Sequence, residues 1–134
     1  MIELRTSGLI MLHNNKLLLT YSANKKAWYL PGGKIDPLET AAEALVREVF
    51  EELALKITIS KLVYYCHVSA VAYGEEQRQM EQECFIYPYT AEIKPSNEIE
   101  AVAYFSLEEF KQLPVQVTGV LAVFDYLIRD GKLF

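Results

Sequence analysis

A chain of 134 residues, 51% of them hydrophobic, can bury a substantial core in one compact domain and leaves no room for a second of ordinary size. The charged content of 23% is ordinary and the net charge is −5, with no lysine- or arginine-rich run, which speaks against a nucleic-acid polymer as partner. No apolar stretch approaches the roughly 18 residues that cross a bilayer, Met1 to Leu12 lacks a secretory pattern, and the only cysteines, Cys66 and Cys84, are too few for a disulfide framework, so the expectation is a cytoplasmic protein without a membrane partner.

Taken in chain order, Gly8 to Leu12 and Leu17 to Tyr21 read as two short strands. His13-Asn14-Asn15 between them reads as a tight turn, because asparagine tolerates left-handed backbone angles. After the polar stretch Ser22 to Lys26 and the run Ala27 to Leu30, the punctuation Pro31-Gly32-Gly33 predicts a turn. A helix follows: Thr40 and Glu43 have capping-box spacing, and Ala42, Leu45, Val46, Val49 and Leu53 recur at three- and four-residue steps as an apolar stripe. Leu55 to Ile59, Leu62 to Tyr73 and Cys84 to Ala91 read as strands from their β-branched and aromatic content, with Gly74 to Gln82 as a polar hairpin tip. Ala101 to Phe105 predicts another strand. Ser106 with Glu109 caps a short helix through Leu113, and Val117 to Arg129 forms a last one that ends before Gly131. The fold class is α/β, a mixed sheet with helices packed against it.

The chemistry concentrates between Gly33 and Leu55. On a helix Glu48, Glu51 and Glu52 stand at i, i+3 and i+4, so three carboxylates share one face beside the apolar stripe. Their mutual repulsion does nothing for the helix, whereas hard cations such as Mg²⁺ prefer carboxylate oxygens. Glutamate is abundant here, 15 residues, and an acidic helix face alone is usually just solvated. The wider spacing changes that balance. Gly33, Glu39, Arg47-Glu48-Val49 and Glu51-Glu52 fall at intervals that chance reproduces roughly once in a million starting positions at ordinary residue frequencies.

This pattern reproduces the Nudix box, and the chain resembles the Nudix hydrolase family, MutT-like members included. Lys16 to Leu19, Trp28 to Gly33, and Asn97 to Glu100 leading to Tyr104-Phe105 extend the resemblance over roughly Gly8 to Phe110. One box position departs: Ala54 stands where the family usually has glycine, a strain if the helix ends in a left-handed conformation. The resemblance implies an α/β/α sandwich that hydrolyses the diphosphate of a nucleoside diphosphate linked to another moiety, first of all a nucleoside triphosphate. It implies Mg²⁺, with Mn²⁺ as a substitute, on Glu48, Glu51, Glu52 and the Gly32 carbonyl, joined by Glu98 as a further ligand or general base. Glu51, Glu52, Arg47 and Glu98 are the catalytic candidates, with Arg47 and Glu39 orienting the neighbouring carboxylates.

Such chemistry needs no serine, cysteine or histidine nucleophile, and neither His13 nor His67 stands in a catalytic motif. Trp28 and Tyr29, beside the glycine pair, are the expected pocket-lining aromatics, and Lys25, Lys26 and Lys34 the expected phosphate contacts. Val115 to Thr118 lacks the paired acids by which mammalian-type enzymes read oxidised purines. The small-molecule partner is a nucleotide, and exposed strand edges leave room for a homodimer. The alternative is a module that binds a nucleotide without cutting it. Loss of box glutamates would mark that case, and all four are present.

Overall fold

The computed structural model describes residues 2–134. In chain order the elements are strands β1 (Ile2–Ile10), β2 (Leu12–His13), β3 (Lys16–Ser22), β4 (Ala27–Tyr29) and β5 (Gly32–Lys34), and helix α1 (Ala41–Leu53). Strands β6 (Val63–Ala72), β7 (Glu75–Ile86) and β8 (Ile99–Phe105) and helices α2 (Leu107–Lys111) and α3 (Thr118–Arg129) complete the fold. One mixed sheet runs β5-β1-β7-β6, with β1 and β7 parallel and the other pairs antiparallel. In the second sheet β3 pairs with β2, β4 and β8.

Strand alternation divides the apolar residues between two cores. Leu9, Met11 and Leu18 pack with Leu45, Val49 and Leu53 of α1, while Ile10, Leu17 and Leu19 join Val120, Val123, Phe124 and Leu127 of α3. Successive strand residues point to opposite faces, so the sheets lie between the two helices. The architecture is an α/β/α sandwich.

The ends of α1 decide where its carboxylates go. At the start, Thr40 accepts from the Glu43 N–H and the Glu43 carboxylate accepts from the Thr40 N–H, closing the expected capping box. At the other end the last four carbonyls all find donors. Phe50 O accepts from Ala54 N, Glu51 O from Asn97 Nδ2, Glu52 O from Ser96 N and Leu53 O from Lys94 N. The segment before β8 is therefore fastened to the helix terminus, which would otherwise leave those carbonyls unpaired.

Several strand boundaries differ from expectation. β1 begins near the start of the chain, at Ile2. Residues 55–58 form no strand and run into a 3₁₀ turn, Ile59–Lys61. Leu55 and Ile57 are buried, but the Thr58 N–H donates to the Tyr87 hydroxyl at 2.8 Å instead of a ladder. The polar stretch expected as a hairpin tip is mostly β7, since its backbone pairs with β6 and, from Arg78 on, with β1. The turn is confined to Tyr73-Gly74, where Gly74 has φ 76°. The expected strand from Cys84 stops at Ile86. Gly32 and Gly33, expected in a turn, instead pair with Gly8 and Ser7 of β1.

Asn14 and Asn15 both adopt positive φ, 51° and 61°, as the expected tight turn requires. Ala54 caps α1 at φ 52°, ψ 32°, the left-handed conformation that alanine enters only at a steric cost. Ala54→Gly should therefore stabilise the protein by about 1 kcal/mol, measured as a higher urea midpoint with an unchanged slope. A lower midpoint would show that the cap is not strained.

Candidate active site

The carboxylates of α1 meet β5 because two glycines let them. A Cβ on Gly33 would lie 2.5 Å from the Glu48 Cδ, so any side chain there would displace that carboxylate. Gly32, at φ 144°, faces the Ser7 carbonyl so closely that a Cβ would sit 2.0 Å from the oxygen. In the space so gained, the Gly32 N–H donates to Glu52 Oε1 at 2.9 Å. Glu52 is only 9% exposed. Desolvation is the main reason its pKa is raised to about 8, opposed by the Gly32 hydrogen bond and helped by the charges of Glu48, Glu98 and Glu51. Glu48 is raised as well, first by desolvation, against the lowering pull of Arg47.

Arg47 organises the outer edge. Its guanidinium donates to both Glu39 oxygens at 2.8 and 2.9 Å, to Glu48 Oε1 at 2.9 Å and to the Lys34 carbonyl at 3.0 Å, and comes within 3.7 Å of Glu51. The hydrogen bonds from Arg47 hold Glu39 down at about 2, and those carboxylates raise the guanidinium in return. Arg47 thus contacts Glu48 and approaches Glu51, while Glu52 has only a backbone donor.

Behind these groups lies a cavity of about 220 Å³, lined among others by Thr6, Tyr29, Gly32, Gly33, Lys34, Glu52, Gln82 and Glu98. Glu98 comes from the segment fastened to the end of α1 and accepts from Asn24 Nδ2 at 3.0 Å. Tyr29 lines the cavity, its phenol raised to about 12 chiefly by burial. Trp28 does not line it: one residue earlier on β4, it turns to the opposite side and packs against Tyr21 and Phe105 at ring distances of 5.3 and 4.9 Å. Lys25 lines the cavity, but its ammonium is held by Glu75 at 3.2 Å and approaches the Tyr73 carbonyl at 3.5 Å. Lys26 lies off the lining. The sequence reading missed Thr6, Glu75 and Gln82 as cavity residues, and Thr6 and Gln82 come together only through the non-local pairing of β1 with β7.

Among the described residues, no three His, Cys, Asp or Glu side chains converge closely enough to bind an ion as they stand. Arg47 draws Glu48 outward and Gly32 draws Glu52 inward. The chemistry of the donor set nevertheless fits a divalent cation: all its members are carboxylate or carbonyl oxygens, and Glu52 and Glu48 are pushed toward protonation chiefly by burial, with neighbouring carboxylates adding to the effect.

A family model described as NUDIX domain matches residues 3–123. The chain belongs to the NUDIX family. A Bacillus subtilis (strain 168) protein with the provisional name 8-oxo-dGTP diphosphatase is 36% identical over 52 residues, covering 39% of this chain and 35% of its own. A Caenorhabditis elegans protein provisionally named nudix hydrolase 1 is 28% identical over 121 residues, 88% of this chain and 31% of its own. The matches thus span about a third of the length of these relatives. The crystal structure of a MutT protein from Methanosarcina mazei Go1 superposes with a TM-score of 0.80 at 21% identity, covering 98% of this chain and 96% of that one, a likeness of fold. Of the Nudix-box residues of this chain, Glu48 and Glu52 meet the glycines of β5 and Arg47 meets its Lys34 carbonyl.

A buried carboxylate with a raised pKa gives stability a defined slope. The neutral acid suits the folded site, so the contribution is fully present below the ordinary value of 4.5 and is lost as pH rises through about 8. In chelator, the thermal midpoint of the wild type should therefore fall over that range more than that of Glu52→Gln, which cannot ionise. Parallel profiles for the two proteins would remove the case for a buried charge.

Proposed function

We propose that this NUDIX protein hydrolyses the diphosphate linkage of a nucleoside diphosphate joined to a further group, and that its substrate is a nucleoside triphosphate. One observation carries the reading: Glu52 is buried at the cavity wall, its ionisation opposed by the charges of Glu48 and Glu98, and among the described residues no lysine or arginine pairs with it. Ionising a carboxyl buried in this way is costly unless a cation joins it. Glu48, Glu51 and Glu52 of α1, with the Gly32 carbonyl, would hold Mg²⁺ or Mn²⁺. Such an ion, when bound, neutralises the phosphate oxygens and lowers the barrier to in-line attack by water.

The chain's own groups supply the rest. Arg47, anchored by both oxygens of Glu39, sets the direction of the Glu48 carboxylate. Lys34, on the exposed end of β5 beside the carboxylates, meets the outer phosphates. Glu98, steadied by Asn24, takes the proton of the attacking water. The cavity of about 220 Å³ is small beside the roughly 300–1,000 Å³ of sites for drug-sized ligands, which favours one nucleoside over a dinucleoside. The name of the Bacillus subtilis relative, an 8-oxo-dGTP diphosphatase, points to the same substrate class.

The test is release of phosphate or pyrophosphate from a nucleotide panel with and without Mg²⁺. Turnover should require the ion, and Glu52→Gln, which keeps an oxygen for the Gly32 N–H, should lower kcat by about 10³-fold with the fold intact. Tight binding with no turnover of any nucleotide would leave the non-catalytic module as the better description.

A further inference from the structure

The chain's only two cysteines, Cys66 and Cys84, stand directly opposite each other on β6 and β7. Both are free and buried, and both belong to the core beneath α3, so their side chains leave the same face of the sheet. Directly opposed residues of an antiparallel ladder are about 4.5 or 5.5 Å apart at Cα. Either spacing falls within the roughly 4.4–6.8 Å that a disulfide spans. The register slips between Tyr64 and Cys66, and such a bulge lets a strand adjust locally.

The two thiols are unequal. Cys84 is fully buried, whereas Cys66 keeps 7% of its surface and lies on β6, an edge strand with a single neighbour. The hydrogen bond from Cys84 lowers the Cys66 pKa, with help from the Arg129 charge, and raises that of Cys84, where burial adds to the rise. Cys66 is therefore the better nucleophile and Cys84 the thiol that resolves it. The contacts from Cys84 Sγ to the Gln82 amide oxygen and carbonyl, at 3.8 and 4.0 Å, are too long to hold the sulfur there.

Residues 67–83, between the two cysteines, form a hairpin that supplies Val71, Ala72, Tyr73, Glu75, Met80 and Gln82 to the cavity. Its tip also holds Lys25, through Glu75 at 3.2 Å and the Tyr73 carbonyl at 3.5 Å. A bond across the base of this hairpin would close it into a loop and restrict its freedom to splay.

We propose that Cys66 and Cys84 are a peroxide-oxidisable thiol pair whose disulfide locks the β6–β7 hairpin that walls the cavity. The inference is independent of the hydrolase reading. The Cys66 thiolate attacks one peroxide oxygen, which breaks the O–O bond and leaves a sulfenic acid, and the hydroxide released takes up a proton as water. The Cys84 sulfur gives up its proton and attacks the Cys66 sulfur. The S–S bond forms, the S–O bond breaks, and the departing hydroxide takes that proton as a second water. Two thiols are oxidised and one peroxide is reduced to two waters. Local opening of the edge strand admits an oxidant of this size.

The experiment treats the folded, reduced protein with hydrogen peroxide and counts its thiols after unfolding, with peptide mapping by mass. Both thiols should disappear, residues 66 and 84 should be linked within one chain, and dithiothreitol should restore them. The oxidised protein should melt about 5–10 °C higher, and amide exchange across residues 67–83 should slow. Cys84→Ala should stop at a Cys66 sulfenic acid that dimedone traps, with no rise in the midpoint. The wild-type thiol count stands whether or not that variant folds. Two intact thiols, a sulfinic or sulfonic acid in place of the bond, or a link between chains overturns the pair and leaves the cysteines as core packing. A bond that forms with neither a higher midpoint nor slower exchange overturns the lock.

Discussion

The hydrogen bond from the Gly32 amide to the Glu52 carboxylate joins the two halves of the site. It forms only because β5 lies against the last turns of α1 with no side chain between them. Gly32 could not carry a Cβ past the Ser7 carbonyl, and Gly33 could not carry one past Glu48. Glycine thus acts here by subtraction. Two missing side chains allow a charged helix face to be pressed onto a strand, and the burial that follows gives Glu52 its raised affinity for a proton.

A second set of bonds brings the opposite side of the site into place. The carbonyls at the end of α1 are capped from outside the helix by residues 94–97, so the chain leaves the helix terminus already positioned to deliver Glu98. Asn97 holds φ 55° while its side chain reaches the Glu51 carbonyl, and Ser96 donates to the Glu52 carbonyl. Backbone groups of the box glutamates therefore fix the segment whose side chain faces them. Arg47 plays the corresponding part at the outer edge, gathering Glu39, Glu48 and the Lys34 carbonyl about one planar cation.

What the sequence made legible was mostly local. Both capping boxes, the Asn14-Asn15 turn and the apolar stripe of α1 depend on neighbours within four residues, and each is found in the structure. Local signals failed where distant pairing overrode composition. The stretch from Glu75 to Gln82 is polar enough to read as loop, yet it is strand, paired with β6 and, from Arg78 on, with β1 as well. Leu55 to Ile59 has strand-like residues but no partner strand. The family resemblance located the carboxylates, but adjacency to the glycine pair did not separate Trp28 from Tyr29. Strand alternation sends one into the aromatic cluster and the other to the cavity. Thr6 and Gln82 were invisible for the same reason: they stand 76 positions apart and become neighbours only through the parallel β1–β7 register.

The capping of α1 by residues 94–97 also bears on how the molecule fluctuates. Local openings break groups of hydrogen bonds together, and here the bonds that protect the helix terminus are those that hold the approach to Glu98. If that segment lifts, the helix end frays and the facing carboxylate withdraws in one event. The two sides of the acidic cluster are thus linked in time as well as in space, and amide exchange at Lys94 and Ser96 reports the lifetime of the assembled centre.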